Sequence, residues 1–235
     1  MYYDSDDNDF KDFYDDDYDD NYKPESKNKM VQLLKKEGQE MQYLSEIPFP
    51  YGRYVAIDAE FTGLDEKEDQ LLELAACEIY NCELTNNRFH AYIKPRGEIK
   101  GTEFHGITKD AYEKLSSESL DDKKNLEKFL EFVGDSLIVA HNPIKDIAFI
   151  NKELALNGLK EIDKMKFRCT MRMFYKKYEH TYIKKINLEA CCEIFHIFIV
   201  NKHKALDDSE NTGKLLIRLM KKKNKNKKKK KKKNK

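Results

Sequence analysis

A short apolar run that carries two acids constrains this chain more than any other part of its sequence. The run Val55-Ala56-Ile57-Asp58-Ala59-Glu60-Phe61 is typical of a strand, and residues two apart on a strand share a face. Buried carboxylates are unfavourable unless they are paired or bound to a metal, and two on one face disfavour each other's charge. The pattern therefore predicts a divalent-cation site on rigid backbone. A strand end with two solvent-facing acids is the alternative.

A third acid is predicted beside the end of a later strand. The segment Ala140-His141-Asn142-Pro143-Ile144-Lys145-Asp146 closes the strand expected over Ser136–His141. Open α/β sheets place their sites at the carboxyl ends of strands. We expect Asp146 to begin a helix there, where it serves either as a site residue or as a simple N-cap.

A fourth acid and a histidine precede the last predicted helix. In the segment His203-Lys204-Ala205-Leu206-Asp207-Asp208-Ser209-Glu210, Asp207 and Glu210 have the spacing of a capping box. This spacing predicts that Asp208 lies in the first turn and that His203 lies in the loop before it. A lone loop histidine is usually a surface residue, but this one stands five positions before a candidate metal ligand.

Alternating strand and helix signals predict an α/β fold. The strands are expected at Tyr54–Phe61, Gln70–Tyr80, Leu84–Lys94, Ser136–His141 and Lys166–Cys169. The helices are expected at Lys109–Leu115, Asp121–Val133, Asp146–Asn157, Leu188–Phe195 and Asp208–Met220. Asn86-Asn87 is interpreted as a hairpin turn, Thr108 as an N-cap and Gly158 as the residue after a helix end. Three leading strands followed by alternation indicate a mixed five-stranded sheet with helices on both faces.

The charges divide the chain into four parts. Residues 1–22 hold ten Asp and one Lys and are expected to be a disordered acidic tail. Residues 23–52 are interpreted as a linker with a short helix near Met30–Glu37, and residues 53–220 as one domain. Residues 221–235 hold twelve Lys and three Asn and are expected to be a disordered poly-Lys tail. That tail either binds phosphates, directs nuclear import, or is a by-product of composition.

Composition also excludes several protein classes. No apolar run reaches the ~18 residues that a membrane helix needs, so no membrane partner is expected. The acidic N-terminus differs from a secretory signal. The five cysteines are odd in number and lack metal-site spacing, which favours reduced thiols inside a cell. We expect a cytoplasmic protein, or a nuclear one in a eukaryote.

Taken together, the acidic segments resemble those of the DEDDh 3′→5′ exonucleases, the family of the proofreading epsilon subunit of bacterial DNA polymerase III. The matching segments are Asp58–Leu64 (D-x-E-[T/F]-T-G-L), His105–Thr108, His141–Asp146 (H-N-x-x-F-D), Asn187–Cys191 and His203–Asp208 (H-x-A-x-x-D). Two positions depart from the family pattern. Lys145 stands where Phe is usual, and Cys169 stands where Asp is usual, just before Thr170.

The resemblance implies a ribonuclease H-like fold and phosphodiester hydrolysis assisted by two divalent cations, Mg²⁺ or Mn²⁺. It implies that Asp58 bridges the cations, that Glu60 and Asp208 complete one site, and that Asp146 holds the second. His203 would be the general base, because a histidine in water titrates near pH ~6.5 and accepts protons at neutral pH.

The resemblance also implies where the substrate binds. Leu64 would wedge against the terminal bases, while Thr62, Gly63 and His105 would contact the 3′ end. The alternative is a turn with one buried Leu, followed further along by a loop histidine. Glu73 has no assigned role, and the remaining aromatic residues of this part are expected in the core. They are Phe167, Phe174, Tyr175 and Tyr178.

The expected function is a metal-dependent 3′→5′ exonuclease acting on single-stranded 3′ ends, with DNA favoured over RNA. An RNA 3′-end trimming exonuclease is one alternative, and a non-catalytic nucleic-acid-binding module is another. Because no polymerase domain is present, proofreading would need a DNA polymerase subunit as a partner. Deleting Lys221–Lys235 is expected to raise KM and flatten the salt dependence of binding, with kcat nearly intact.

Overall fold

The computed structural model describes residues 52–115, 121–178, 186–201 and 203–220. The tails predicted at 1–22 and 221–235, and the helix predicted near Met30–Glu37, lie outside the described residues. The described elements run from Arg53 to Met220. Among these elements, every helix is too short or too polar to span a lipid bilayer.

Five strands form one mixed sheet, as the sequence predicts. The strands are β1 (Arg53–Phe61), β2 (Leu71–Tyr80), β3 (Glu83–Tyr92), β4 (Leu137–Ala140) and β5 (Phe167–Cys169), and their spatial order is β3-β2-β1-β4-β5. The first three pair antiparallel, and β4 and β5 extend the sheet in parallel from β1. The carboxyl ends of β1 and β4 therefore meet at the same edge.

Seven helices surround the sheet among the described residues. They are α1 (Thr102–His105), α2 (Lys109–Leu115), α3 (Asp122–Val133), α4 (Ile144–Leu156), α5 (Thr170–Tyr178), α6 (Leu188–Ile194) and α7 (Ala205–Met220). Two predicted end signals are confirmed: Thr108 Oγ1 accepts the Ala111 N–H at 3.1 Å, and Gly158 follows the end of α4 with φ 69°. Helices α1 and α5 are not among the predicted elements. The spacing of α5's buried residues Thr170, Phe174 and Tyr178 is helical, but lysines and methionines between them obscure it.

The predicted hairpin turn at Asn86-Asn87 is wrong. The turn between β2 and β3 is Asn81-Cys82, whose φ values of 49° and 65° belong to the left-handed region used by two-residue hairpin turns. Asn86 and Asn87 lie within β3, where the Asn87 amide donates to Glu78 Oε2 at 2.6 Å. Asn81 tolerates positive φ and also accepts the Gly52 N–H at 3.2 Å, so it suits the turn better.

Two predicted helix starts are also displaced. Helix α4 begins at Ile144, with Pro143 rather than Asp146 at its N-cap. Helix α7 begins at Ala205, so Asp207 lies inside the first turn and does not cap it. The supposed capping-box partner Glu210 instead pairs with Arg88 of β3 at 2.7 Å. At α7 an ion pair formed by tertiary packing therefore replaces the local cap that the spacing predicts.

Helix α7 covers the face of the sheet to which the even-numbered β1 residues belong. Its Leu216 packs with Tyr54 and Ala56 of β1 and with neighbouring apolar residues. A Cβ at Gly213 would lie 3.3 Å from the Cys77 sulfur, so the absence of a side chain lets α7 lie close to β2. Alternate residues of a strand lie on the same face, so Asp58 and Glu60 lie on the same face as Tyr54 and Ala56, beyond the apolar cluster.

Candidate active site

Asp58 and Glu60 stand near the end of β1, where the sheet is open on one side. β4 pairs with β1 as far as Ala56, and beyond that residue no strand of the described part of the chain pairs with β1 on this side. On the other side β1 remains paired with β2, with Glu60 directly opposite Glu73. The two acids therefore stand on backbone that is held rigid by one neighbour and accessible from the other side.

Asp146 occupies the open side of β1. The chain leaves β4 through Asn142, whose φ of 67° turns it into α4, and this brings Asp146 into the first helical turn. Its side chain is 8% exposed, and its carboxylate accepts the backbone N–H of Ala59, which lies between the two acids of β1. This hydrogen bond places the third predicted acid beside the first two.

Asp208 and His203 complete the site from α7 and the loop before it. The His203 N–H donates to Asp208 Oδ2 at 3.0 Å, so the loop is fastened to the acid. Ligand atoms of Glu60, His203 and Asp208 all lie within 4.8 Å of one another. His203 has φ 55°, an unfavourable value for a non-glycine residue, and such strain is concentrated at functional sites.

Burial disfavours the charged form of each acid in the site, and neighbouring carboxylates add to this effect at Asp58 and Glu60. Burial, followed by the charges of Asp146, Asp208 and Glu60, raises the pKa of Asp58 well above its ordinary value. Burial, Glu73 and Asp208 raise the pKa of Glu60 to about 8. Burial raises the pKa of Asp146 to about 7, and burial also raises the pKa of Asp208. Several buried carboxylates whose charged forms are disfavoured by their surroundings fit a site for hard divalent cations.

Glu73 is a further acid of this site, and its role could not be assigned from the sequence. It is 2% exposed, its Oε1 lies 2.6 Å from His90 Nε2, and its Oε2 is buried without a hydrogen-bond partner in the described structure. Its charge is the second cause of the raised pKa of Glu60. In the sequence, Glu73 can be recognised as an acid inside an apolar strand. Only the strand register shows that Glu73 lies opposite Glu60.

The predicted substrate residues Thr62, Gly63 and Leu64 begin the loop after β1. Thr62 is buried, and its Oγ1 accepts the Gln70 N–H at 2.9 Å, so the side chain closes the base of the loop. A Cβ at Gly63 would overlap the Asp69 carboxylate, which explains the glycine. Leu64 is 72% exposed, so the alternative of a buried Leu in a turn is wrong.

The histidines at 105 and 141 are both fully hydrogen bonded within the protein. His105 Nε2 lies 2.9 Å from Lys100 O, and its Nδ1 accepts the Ile107 N–H at 3.0 Å. His141 lies between Thr170 Oγ1 and Ile186 O at 2.9 and 2.8 Å, and burial lowers its pKa to about 4. In this conformation both rings brace the segments that surround the acids.

The remaining predictions concern the core and the cysteines. Phe167, Phe174 and Tyr178 are buried, as predicted, and Tyr175 is half-buried. All five cysteines are free thiols, also as predicted. Cys169, one of the two departures from the family pattern, is fully buried, and its sulfur accepts the Asn142 N–H. Lys145, the other departure, lies in the first turn of α4 beside Asp146.

Comparisons with known proteins agree with this geometry. A family model described as an exonuclease, RNase_T, matches residues 55–216. The chain is 31% identical over 177 residues to the DNA polymerase III subunit epsilon of Rickettsia conorii, covering 72% of this chain and 74% of the relative. It is also 31% identical over 170 residues to the PolC-type DNA polymerase III of Bacillus subtilis. That match covers 72% of this chain and only 11% of the polymerase.

Solved structures share the fold. The nuclease domain of 3′hExo, a DEDDh family member bound to rAMP, has a TM-score of 0.60 at 17% identity, with 72% of this chain and 92% of that domain covered. Exonuclease I of E. coli in complex with a dT13 oligonucleotide has a TM-score of 0.60 at 14% identity, with 72% and 41% covered. The five-stranded mixed sheet flanked by helices is therefore the ribonuclease H-like fold that the sequence predicts.

Proposed function

Because this chain belongs to the RNase_T exonuclease family, we propose that it is a metal-dependent 3′→5′ exonuclease that hydrolyses phosphodiester bonds at single-stranded 3′ ends. The observation that carries the proposal is the convergence of four acids and one histidine from three separate segments. Glu60, His203 and Asp208 place ligand atoms within 4.8 Å of one another. Asp58 and Asp146 lie close enough for the charge of Asp146 to raise the pKa of Asp58.

The acids would hold two divalent cations, Mg²⁺ or Mn²⁺. Asp58 is central to the cluster, since its pKa responds to Asp146, Asp208 and Glu60, and this supports its assignment as the shared ligand. Glu60 and Asp208 would complete one cation site, and Asp146 would serve the other. When bound, the cations offset the charge of the phosphodiester and stabilise the attacking and leaving oxygens. A pure binding module gains nothing from acids that face phosphate, so the catalytic proposal is favoured.

His203 is proposed as the general base. Its side chain is 53% exposed, so water can reach the ring, and its backbone is held by Asp208. Its Nε2 lies 4.0 Å from Glu189 Oε1. In the proposed reaction the ring takes a proton from the attacking water, and Glu189 would lie beside the imidazolium that forms.

The substrate end is proposed to lie over the loop after β1. Leu64 is an exposed apolar side chain beside an acidic site, which suits contact with the face of a terminal base. Thr62, Gly63 and His105 shape this region. The two ring nitrogens of His105 are used internally, so a contact with substrate would come from another part of that residue.

DNA is proposed as the favoured substrate, and RNA is the alternative. The matched relatives are named as DNA polymerase III proteins, whereas a structural neighbour is bound to rAMP. Their names also support a DNA polymerase subunit as a partner and an intracellular location. The chain spans about a tenth of the PolC-type polymerases, so the polymerase activity of those proteins is not transferred to it.

A degradation assay tests the proposal. Purified protein is incubated with single-stranded DNA and RNA oligonucleotides of the same sequence, labelled at the 5′ end, with Mg²⁺ or with EDTA. We expect a ladder shortened from the 3′ end in Mg²⁺, no product in EDTA, and faster decay of DNA. Protein with Asp58→Asn is the control for contaminating nucleases. Equal activity of that variant and the unmodified protein would refute the proposed active site.

A further inference from the structure

The loop that carries Leu64 is held by two lysines of the neighbouring helix α4, which also carries Asp146. Lys145 Nζ donates to the Leu64 carbonyl at 3.0 Å and to Glu66 Oε1 at 3.1 Å. Lys152 Nζ donates to three backbone carbonyls of the same loop, at 2.8, 3.2 and 2.9 Å. They belong to Glu66, Lys67 and Asp69.

The two lysines and one aromatic residue lie along one side of the helix. Lys145 and Lys152 are seven residues apart, which is two helical turns, and Phe149 lies between them. The Phe149 ring stacks on Phe61 of β1, with ring centroids 4.4 Å apart. The side of α4 formed by these three residues therefore contacts the chain from the end of β1 to Asp69.

The loop also contains hydrogen bonds of its own, in addition to those from the two lysines. Asp69 Oδ2 accepts the Asp65 N–H at 2.9 Å, and the Asp69 N–H donates to Asp65 O at 2.7 Å. Thr62 N–H donates to Gln70 O at 2.9 Å and closes the base of the loop. These bonds fix the shape of the loop, whereas the bonds from Lys145 and Lys152 fix its position against α4.

The two ammonium groups donate to oxygens within the protein, whereas a lysine that binds phosphate directs its donors to the ligand. An ammonium group has three N–H donors, and Lys152 directs its donors at three carbonyl oxygens. Lys145 holds the carbonyl of Leu64, the residue proposed to contact the terminal base, and stands one position before the acid Asp146. A single rigid helix thus connects the site of the proposed chemistry to the proposed substrate contact.

We propose that Lys145 and Lys152 are positioning residues that hold the 62–69 loop at a fixed distance from the acidic site, so that a nucleic-acid 3′ end is bound in register for cleavage. The loop contacts stand on their own, and the effect on cleavage rests on the proposed exonuclease function. Lys145 stands where the family usually has Phe. In this chain it would help to position the substrate.

Kinetics on a single-stranded oligonucleotide test the positioning role. Lys145→Met and Lys152→Met keep the aliphatic stems and remove the donors, and Lys128→Met on the exposed side of α3 is the matched control. We expect KM to rise about three- to tenfold in each of the first two variants, with kcat changed less than about twofold, as loss of one charged hydrogen-bond group implies. A KM equal to that of Lys128→Met in both variants would overturn the role in substrate binding.

Limited proteolysis tests the loop contacts without using activity. A glutamate-specific protease cleaves after Glu66 and Glu68, which are both exposed, and the lysine substitutions do not alter its sites. We expect cleavage at these two bonds to become several times faster in Lys145→Met and Lys152→Met and to stay unchanged in Lys128→Met. Equal cleavage rates in all proteins would overturn the proposal. If the unmodified protein lacks exonuclease activity, the proposed function fails, and the proteolysis result still decides whether the lysines hold the loop.

Discussion

The two halves of the acidic site are built in different ways. The inner half, Asp58 and Asp146, stands on a central strand and in the first turn of α4, and Ala59 N–H connects the two. The outer half, Asp208 and His203, stands in the first turn of α7 and the loop before it. Asp146 is 8% exposed, whereas the side chain of His203 is 53% exposed.

From this difference we infer that the two halves contribute differently to the proposed reaction. The inner acids are buried, and burial disfavours their charged forms, which agrees with the cation-binding role proposed for them. In the outer half, His203 is reached by solvent and lies in a loop with a left-handed backbone, so it suits proton transfer with water, whereas Asp208 is half-buried and is proposed as a cation ligand. Substitutions in the inner half should therefore alter both chemistry and stability, whereas substitution of His203 should alter chemistry alone.

The largest effect is expected from neutralising an inner acid. Asp58→Asn and Asp146→Asn should each lower the exonuclease rate by at least about 10³-fold, because the charge stabilisation lost with a cation is worth several kcal/mol. Without metal at pH 8 the same variants should melt at higher temperature than the unmodified protein, because a repelled charge is removed. Rates come from the oligonucleotide assay and melting from circular dichroism. Asp110→Asn, an exposed position on α2, is the control.

An active Asp58→Asn variant would remove the distinction between the two halves, because the inner acids would then not be the cation ligands. A variant that is inactive but melts at lower temperature without metal would show that the acids do not repel each other in the way their environment indicates.

The next effect concerns the outer half. His203→Ala should lower the rate about 10²–10⁴-fold, the range for a general base, with the melting temperature nearly unchanged at an exposed position. The rate of the unmodified protein should rise with pH in the acidic range, because only neutral imidazole accepts a proton, and the variant should lose this rise. His196→Ala is a matched control, since His196 is also exposed and has φ 52°. Similar pH profiles in all three proteins would exclude the proposed base.

A smaller effect should appear in stability as a function of pH. Burial raises the pKa of Glu60 to about 8 and that of Asp146 to about 7, both above the ordinary values near ~4 of the unfolded chain. The unfolded chain therefore releases these protons first, and the metal-free protein should lose stability as pH rises from ~4 through 8. Mg²⁺ binds the deprotonated acids and should reverse the loss.

Thermal melts at pH 6, 7 and 8 measure this dependence. The melting temperature in Mg²⁺ should exceed that in EDTA by an amount that grows with pH. In a domain of this size, each kcal/mol that Mg²⁺ adds to the free energy of unfolding raises the melting temperature by about 2–4 °C. A difference that is as large at pH 6 as at pH 8 would contradict the raised pKa values of the two acids.

The smallest effect tests whether Glu73 acts on the acid opposite it. Glu73→Gln removes a buried charge that raises the pKa of Glu60, so Glu60 should lose its proton at lower pH. We compare the Mg²⁺ concentration needed for half-maximal rate at pH 6 with the concentration needed at pH 8. The ratio of the first to the second should be a few-fold smaller in Glu73→Gln than in the unmodified protein. Glu83→Gln, at an exposed position of the same hairpin, is the control. Identical ratios in both variants would show that Glu73 is only a partner of His90.

Much of the fold could be predicted from local patterns. The five strands, the helix at Lys109–Leu115 and the glycine after α4 follow from side-chain periodicity and capping, which are properties of neighbouring residues. The errors arise where packing competes with local signals. Asn86 and Asn87 lie within β3, because the turn at Asn81 sets the register of the hairpin. Glu210 forms an ion pair with Arg88 of β3 and does not cap its own helix.

The sequence by itself predicted which acids and which histidine form the site. Asp58 and Glu60 stand out as acids inside an apolar strand, and Asp146, His203 and Asp208 follow from the resemblance of their segments to a known family. The tertiary structure alone decided how these residues are divided between a buried half and an exposed half. It also decided that Glu73 faces Glu60 and that Lys145 and Lys152 hold the loop of Leu64. These relations depend on strand register and helix docking, which join residues far apart in the chain and leave no local pattern in the sequence.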